Sequence, residues 1–277
     1  MKRIAVLMTV HNRREMTLRC LQLLYRQQYD ISRFSVDVFM TNDGCTDGTE
    51  VAVQEKFPDV HIIQGDGNLY WNRGMIAAWR EAAKEDFDYY LWLNDDTLLY
   101  SNAVYELLAC SARHNDSVIA VGSVCEHGNK SKITYGGCSY KGVLIQNVSH
   151  EQTCELMNGN LVLIPRHVFE TLGKNNPIYH HALGDFDYAK RALEQSVKIV
   201  LAKGVFGECN RRKQLWKDSK QSLCVRFKDY WKYTGANPFD VFVYNKQYKG
   251  ILRACLYFLT SITRMLFPAV CERLGYE

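Results

Sequence analysis

The sequence predicts an α/β fold in which a mixed, mostly parallel sheet is flanked by helices and followed by a C-terminal helical extension. Over the first two hundred or so residues, short apolar runs rich in β-branched and aromatic residues alternate with stretches whose apolar residues recur every three or four positions. This alternation is typical of βαβ units and hence of parallel strands. Beyond Gly204 the pattern becomes helical, basic and aromatic. We therefore expect a main domain over residues 1–210 and an extension over residues 211–277.

The predicted elements alternate along the main domain. Buried apolar runs predict strands at residues 4–9, 36–40, 61–64, 89–93, 118–124, 161–164 and 197–201. Helical spacing predicts helices at residues 15–28, 47–56, 72–84, 101–114, 165–173 and 185–194. Thr46 or Asp47 is a candidate N-cap for the second helix, and Ser101 for the fourth. Three glycines among β-forming residues predict a hairpin over residues 132–148.

Size and composition narrow the class of protein. The chain has 277 residues, of which 47% are hydrophobic, enough for a sizeable core. Its ten cysteines form no C-x-x-C pair, which argues against a zinc ribbon and predicts free, buried thiols in a reducing cytosol. The apolar N-terminal run is too short for a signal peptide, and no run of about 20 apolar residues could span a membrane. We therefore expect a cytoplasmic protein.

Polar clusters directly follow three of the predicted strands, at residues 11–12, 42–44 and 94–96. Ligands of open parallel sheets bind beyond the carboxyl ends of the strands. We therefore expect these three clusters to lie together and to carry the chemistry.

Asp95 and Asp96 are adjacent carboxylates at the end of a strand. They repel each other unless a cation or hydrogen-bond donors compensate their charge. Oxygen ligands of this kind favour Mg²⁺ or Mn²⁺. The alternative is a solvated turn in which Asp96 or Thr97 caps the next helix.

Two glycine-containing loops suit close approach of the backbone to a ligand. Residues 42–49 form a short polar turn in which Asp43 could accept hydrogen bonds from a base or a ribose; the alternative is an Asx-turn with a helix cap. Residues 65–74 lead into a helix and could approach phosphates, with Arg73 either offsetting their charge or serving as a surface cation. This loop matches neither the dinucleotide fingerprint nor the P-loop.

A second acidic pair, Asp185 and Asp187, opens a predicted helix. A carboxylate here could take the proton from an acceptor hydroxyl. The alternative is a first-turn pair that only suits the helix dipole.

Six segments in order along the chain resemble the motifs of family 2 glycosyltransferases, which are inverting enzymes with the GT-A fold. They are TVHNR at 9–13, NDGCTDGT at 42–49, NLYWNRG at 68–74, LNDDT at 93–97, MNGNLVLIP at 157–165 and GDFDYAKRA at 184–192. Each motif is loose, but six in sequence are specific, and the likeness spans about residues 3–210.

The resemblance implies a metal-dependent hexosyltransferase whose catalytic domain is residues 1–210. It implies that Asp185 is the catalytic base, that Asp187 and Arg191 lie on the acceptor side, and that Asp96 holds Mn²⁺ or Mg²⁺. The implied nucleotide-sugar-binding residues are Thr9, His11, Asn12, Asp43, Asn72, Arg73, Asn94 and Asp95.

Four positions depart from the family pattern. Asn42 and Asn94 stand where many members have Asp, and Gly184 stands where Glu is usual, which leaves Asp185 the only candidate base of that pair. The stretch 204–210 lacks the late His that often completes the metal site, and Glu208 is the substitute that the sequence offers.

The expected reaction moves a sugar from a nucleoside diphosphate to an acceptor hydroxyl with inversion, in the synthesis of cell-surface polysaccharide such as O-antigen, capsule or exopolysaccharide. A UDP-sugar is the first donor to consider and dTDP-rhamnose the second, with a glycan or lipid-linked acceptor. A sugar-phosphate nucleotidyltransferase and a non-catalytic nucleotide-sugar-binding protein are the alternatives. A nucleic-acid binder would leave the acidic strand ends unexplained, so we expect no nucleic-acid partner.

The extension is basic and partly apolar. Residues 208–277 carry 13 Lys or Arg against 6 Asp or Glu, a balance of +7, whereas residues 1–207 have a balance of −3. Leu252, Cys255, Leu256, Leu259, Ile262 and Leu266 recur at helical spacing within residues 249–267. Three interpretations stay open: a helix packed on the main domain, a peripheral helix on the inner face of the membrane, and a homodimer contact.

Overall fold

The computed structural model of the chain describes residues 1–28, 30, 32–234 and 237–275. The chain divides into two compact units. The first, here called the catalytic unit because it contains most of the predicted catalytic domain, comprises Met1–Asn176 and Asp185–Arg211. The second, the C-terminal unit, comprises Pro177–Gly184 and residues 212–275. The short segment 177–184 thus groups with the C-terminal helices although it lies within the predicted main domain.

A mixed sheet forms the centre of the catalytic unit. Its strands are β1 (Lys2–Val10), β2 (Phe34–Asn42), β3 (His61–Gln64), β4 (Tyr89–Leu93), β5 (Leu98–Leu99), β6 (Ile119–Glu126), β7 (Asn129–Tyr135), β9 (Gln152–Cys154), β11 (Leu161–Pro165) and β12 (Ile199–Glu208), and a separate small sheet pairs β8 (Gly137–Cys138) with β10 (Leu156–Met157). The main path runs β3-β2-β1-β4-β11-β6-β12-β5. β1 pairs in parallel with both β2 and β4, whereas β11 runs antiparallel between β4 and β6. This confirms the predicted mixed, mostly parallel sheet.

Helices cover both faces of this sheet. They are α1 (Arg14–Tyr25), α2 (Thr49–Lys56), α3 (Tyr70–Ala82), α4 (Ala103–Arg113), α5 (Arg166–Leu172) and α6 (Gly184–Glu194). Each lies within a few residues of its predicted position. Gly48 occupies the N-cap position of α2, but the predicted Asp47 still accepts from Thr49 N, the first residue of that helix, at 3.1 Å. Ser101 is not the cap of α4, because Asn102 precedes that helix.

The strand β1 shows how the sequence places the core. Ile4, Val6 and Met8 point into one apolar cluster, whereas Ala5 and Leu7 point into a second cluster on the opposite face. A parallel strand covered on both faces is apolar at nearly every position, which is why the run reads as a continuous apolar segment.

The predicted hairpin over residues 132–148 forms only in part. β7 pairs antiparallel with β6, and a single bridge joins Cys138 to Leu144. Gly142, at φ 77°, lies in the turn between these two residues, where Ser139 N donates to Val143 O at 2.9 Å and Gly142 N donates to Ser139 O at 2.8 Å.

The C-terminal unit is helical. It contains a 3₁₀ turn (Leu215–Lys217) and the helices α7 (Leu223–Trp231), α8 (Pro238–Lys249), α9 (Ile251–Leu266) and α10 (Pro268–Arg273). Its buried apolar cluster is small, formed by Trp216, Tyr230 and Met265. Among the described residues, no helix combines the length and the apolar character needed to cross a membrane.

Two contacts tie the segment 177–184 to α8 within the C-terminal unit. The Tyr179 hydroxyl donates to Gln247 Oε1 at 3.2 Å. The His180 backbone N–H donates to Asp240 Oδ2 at 3.2 Å, and His180 Nδ1 lies 3.1 Å from Asp240 Oδ1. The residue that follows this segment in the chain is Asp185.

Candidate active site

The three polar clusters lie at one edge of the sheet, as the sequence predicts. β1 runs between β2 and β4, and all three strands point the same way. The backbone N–H of Asp43 donates to Val10 O at 3.0 Å, which joins the first two clusters directly. The acidic residues after β4 stand on the other side of β1.

The Asp43 carboxylate holds the loop that follows β3. Buried Asp43 accepts hydrogen bonds from the backbone N–H groups of Gly67 at 2.9 Å, Leu69 at 3.2 Å and Tyr70 at 2.8 Å. A Cβ on Gly65 would lie 2.7 Å from Asp43 Oδ1, so glycine is needed for this close approach. Asp43 therefore orders the loop that leads into α3, in addition to standing at the predicted nucleoside position.

Thr9, His11 and Asn12 line the end of β1. The Thr9 hydroxyl donates to Trp71 O at 3.2 Å, and His11 Nδ1 lies 2.5 Å from Asp43 O. Asn12, at φ 51°, accepts from Thr46 N at 2.7 Å. His11 and Asn12 are exposed, so both face solvent at the edge where a nucleotide is expected.

Arg13 compensates the adjacent carboxylates after β4. Its Nη1 donates to Asp95 Oδ1 at 3.1 Å and to Asp96 Oδ2 at 2.7 Å. Burial raises the pKa of Asp95 to about 7, although the Arg13 charge opposes the shift. Asp95 is also hydrogen-bonded to the Thr17 hydroxyl at 3.3 Å. An internal cation thus offsets the repulsion that the sequence assigned to a metal ion.

Asp96 faces a pocket of about 600 Å³. Arg13, Asp47, Cys209 and Asn210 are among the residues that line it. Asp96 keeps 32% of its side chain exposed, whereas Asp95 is buried. A carboxylate that opens onto a polar pocket, backed by a second carboxylate, fits Mn²⁺ or Mg²⁺, which prefer oxygen ligands.

The late strand reaches this acidic edge through Cys209. Its thiol donates to Asp96 Oδ1 at 3.5 Å. Glu208, the substitute ligand that the sequence offered, is bonded elsewhere: it accepts from the Tyr100 hydroxyl at 3.1 Å and lies 3.2 Å from His127 Nδ1.

Trp71 links the donor edge to the strand that carries the acceptor-side motif. Its indole N–H donates to Asn94 Oδ1 at 2.7 Å. A Cβ on Gly159 would lie 2.4 Å from the Trp71 ring, so only glycine allows the ring to lie there. Asn94 N in turn donates to Asn160 O at 3.1 Å. The two segments therefore meet at Trp71 and Asn94.

Asp185 joins the same network at the start of α6. Its Oδ2 accepts from Gly159 N at 3.1 Å, and its Oδ1 accepts from Phe186 N at 2.9 Å. Burial raises the pKa of this carboxyl to about 6, and the backbone donors limit the rise. The residue remains partly exposed. Asp185 can therefore be ionised at neutral pH and still accept a proton more readily than an ordinary carboxylate.

Asp187 and Arg191 stabilise the loop after α5. Arg191 Nε donates to buried Asp187 at 3.0 Å, and its other nitrogens donate to Leu172 O at 2.7 Å and Lys174 O at 3.0 Å. The buried Asn72 reaches the same loop, donating to Asn176 O at 2.9 Å and accepting from Asn175 at 2.9 Å. These three side chains fix the loop after α5. Asn72 points to this loop, although the resemblance assigned it to the nucleotide sugar. Arg73 is partly exposed on α3.

Three contributors were not among the predicted site residues: Arg13, Trp71 and Cys209. Arg13 and Trp71 lie inside recognised motifs, so their position in sequence carried a signal. Cys209 lies in the stretch 204–210 that the resemblance matched to the end of the metal site, but nothing in that stretch singled it out, because its contact with Asp96 depends on where β12 ends.

A mixed, mostly parallel sheet with polar and acidic residues at one edge, and an acidic helix start linked to them, is the arrangement of the GT-A fold. The chain belongs to glycosyl transferase family 2, whose model matches residues 5–161. No curated protein matches the sequence.

Two solved structures support the fold. One is the mannosyltransferase PcManGT from Pyrobaculum calidifontis in complex with GDP-Man and Mn²⁺, with a TM-score of 0.55 and 14% identity over 96% of this chain and 73% of that one. The other is GalNAc-T7 with UDP, GalNAc and Mn²⁺, with a TM-score of 0.59 and 13% identity over 89% of this chain and 51% of that one. At these identities the likeness concerns the fold.

Proposed function

We propose that the chain transfers a hexose from a nucleoside diphosphate sugar to an acceptor hydroxyl with inversion at the anomeric carbon, and that Asp185 is the base. The observation that carries this proposal is the unbroken chain of contacts from Asp43, through the Tyr70–Trp71 backbone and Asn94, to Gly159 and Asp185. It brings a proton-accepting carboxylate next to the edge where the donor is expected.

The donor lies along the carboxyl edge of β1, β2 and β4. His11, Asn12 and Thr9 contact the nucleoside, Asp95 lies near the ribose and diphosphate, and Arg73 faces the donor charge. Asp96, supported by Asp95, would hold Mn²⁺ or Mg²⁺. A divalent ion bound there would supply positive charge against the negative charge of the departing diphosphate. Arg13 keeps the two carboxylates in place and charge-compensated before donor and ion bind.

The reaction is a single displacement. Asp185 accepts the proton of the acceptor hydroxyl, and that oxygen forms the new bond to the anomeric carbon. The bond from the anomeric carbon to the diphosphate oxygen breaks, and its electron pair leaves with the nucleoside diphosphate. Attack from the face opposite the leaving group inverts the configuration. Asp187 and Arg191 act indirectly by positioning the loop 172–176.

The partners follow from the family and the composition. A UDP-sugar is the first donor to test and dTDP-rhamnose the second; GDP-mannose joins the screen because a structural neighbour is complexed with it. The acceptor is a glycan or a lipid-linked glycan of a cell-surface polysaccharide, and the site of action is the cytoplasm.

The test combines stereochemistry with one substitution. NMR of the product from an α-linked donor should show a β-linked sugar, with one nucleoside diphosphate released per transfer. Asp185→Asn should lower kcat by about 10²–10⁴-fold, the usual worth of a general base, without changing the donor Kd. Glu194→Gln, on the exposed end of the same helix, is the matched control and should be neutral. Retained configuration, pyrophosphate release, or near-native turnover of Asp185→Asn would contradict the proposal.

A further inference from the structure

The helix α9 has apolar residues on two opposite faces. Ala254 and Met265 are buried against the other helices of the C-terminal unit, and Ser261 is bonded to the Tyr230 hydroxyl at 2.7 Å. The other face points to solvent: Leu252 is 84% exposed, Leu256 60% and Leu259 62%. A helix of a closed globular domain normally buries its leucines and turns polar residues outward. Here the outward face carries four leucines, with the exposed Thr263 between the last two of them.

The outward leucines follow helical geometry closely. Leu252, Leu256, Leu259 and Leu266 are spaced four, three and seven residues apart, and positions with this spacing share one face of an α-helix. Phe267, Val270 and Leu274, which follow in the chain, are also more than half exposed. We call the four leucines the leucine face. Four exposed leucines on one helix face differ from single exposed apolar residues, which are ordinary on protein surfaces.

One flank of the leucine face is basic and aromatic. Arg253 is exposed and lies about a quarter turn from Leu252. Lys249 packs over the Tyr257 ring, with 4.6 Å from its ammonium to the ring centroid. α9 contains two arginines and no acidic residue, and residues 246–273 contain five Lys or Arg and one Glu.

We propose that the leucine face of α9 is a docking surface for an anionic lipid bilayer, with the helix lying in the plane of the membrane. Leucine side chains enter the boundary between headgroups and acyl chains, while the basic flank contacts anionic headgroups and Tyr257 lies at the polar boundary. A second copy of the chain fits less well, because a two-fold pairing through this face would bring like-charged basic flanks together.

This proposal is independent of the glycosyl-transfer reaction, since docking needs neither donor nor metal. It adds a site of action to the proposed function: a protein held at a bilayer would meet an acceptor that is itself anchored in lipid. Failure of docking would leave the reaction untouched, and failure of the reaction would leave docking untouched.

The test is flotation of the full chain with vesicles of phosphatidylcholine containing phosphatidylglycerol, compared with vesicles of phosphatidylcholine alone. The wild-type chain should float with the anionic vesicles, and binding should weaken at high salt. Arg253→Gln should lower the vesicle partition coefficient about fivefold, the usual effect of one basic residue near an anionic surface. The triple variant Leu252→Asp, Leu256→Asp, Leu259→Asp should lower it by more than about a hundredfold.

Val51→Asp is the matched control. Val51 is 61% exposed on α2 of the catalytic unit, so it places the same charge on an equally exposed helix position and should leave flotation unchanged. Circular dichroism should show that every variant keeps its helices. Wild-type chain that does not float, or a triple variant that floats as well as the wild type, would overturn the proposal. If the wild-type chain were a dimer, the triple variant a monomer, and neither bound vesicles, the leucine face would be a contact with a second copy of the chain.

Discussion

The two units of the molecule place their apolar residues in opposite ways. Among the described residues, the catalytic unit exposes seven large apolar side chains, whereas the smaller C-terminal unit exposes fifteen. The catalytic unit buries two extensive clusters on the two faces of its sheet. The C-terminal unit has one small cluster, formed by Trp216, Tyr230 and Met265, and also buries Tyr179, Tyr244 and Ala254.

The difference shows what composition alone conceals. Periodic leucines in a sequence indicate a helix, but they do not say which way its apolar face points. In the catalytic unit the apolar face of each helix has a sheet to cover it. In the C-terminal unit α9 has apolar residues on both sides, and its neighbours in that unit cover one of them. The catalytic unit therefore uses burial for stability, and the C-terminal unit keeps much of its apolar surface for contact.

The largest expected effect separates the chemistry of the two units. Removal of divalent ions with EDTA should reduce the rate of glycosyl transfer to below about one hundredth of its value with metal. Without the ion, the negative charge of the departing diphosphate would not be stabilised by a Lewis acid. Flotation with anionic vesicles should not change, since the leucine face contains no metal ligand. Activity should return with Mn²⁺ or Mg²⁺. Full transfer in EDTA would remove Asp96 from the metal role, and loss of flotation in EDTA would show that the units do not act separately.

A matched pair of leucines tests the contrast in burial. Leu91 in β4 is fully buried, so Leu91→Ala should lower the free energy of unfolding by about 3 kcal/mol through lost contacts and a cavity. Leu252 is 84% exposed, so Leu252→Ala should change it by less than about 0.5 kcal/mol. Urea unfolding of both variants gives the comparison. A large loss for Leu252→Ala would mean that the leucine face is covered by protein in solution.

Much of the fold could be predicted because strong apolar runs decide it. β1 to β4 and the helices between them lie where periodicity placed them, and the mixed sheet follows from their alternation. The strands β5, β8 and β10 are two residues long, too short for any period to show. β12 extends to Glu208, well beyond the predicted strand, through two register shifts, one between Leu201 and Val205 and one between Val205 and Glu208. Such segments become strands because of their neighbours rather than their own pattern.

The sequence predicted the sheet edge at which the candidate site lies, but it did not predict most of the hydrogen bonds that its residues make. The carboxyl-end rule brought Asp43 and Asp95 to one side of the sheet. That Asp43 would meet three backbone amides depends on the path of the loop 65–70, which no local pattern specifies. Arg13 lies one residue beyond the cluster at 11–12, yet its bond to Asp96 appears only once β1 and β4 are neighbours.

Two carboxylates that each hold a loop allow a finer comparison. Asp43→Asn should lower the free energy of unfolding by about 2 kcal/mol, because a buried charged acceptor of three backbone N–H groups becomes an amide whose NH₂ faces one of those donors. Asp240→Asn, in the C-terminal unit, should cost less, since Asp240 accepts one backbone N–H from the loop it holds. Urea unfolding measures both. Equal losses would mean that the two loops depend on their carboxylates to the same degree.

The smallest expected effect is the pH dependence of turnover. The pKa of Asp185 is raised to about 6, chiefly by burial, so at pH 7 about nine-tenths of the carboxyl is ionised and able to accept a proton. Below pH 6 the protonated form dominates, and kcat should fall about tenfold per pH unit. The Glu194→Gln control should show the same fall of kcat below pH 6. The residual rate of Asp185→Asn should not show this inflection near pH 6. An unchanged inflection in Asp185→Asn would assign it to another group. Vesicle binding should show no transition near pH 6, because α9 contains no acidic residue and no histidine. The pH response therefore distinguishes the catalytic unit from the docking surface.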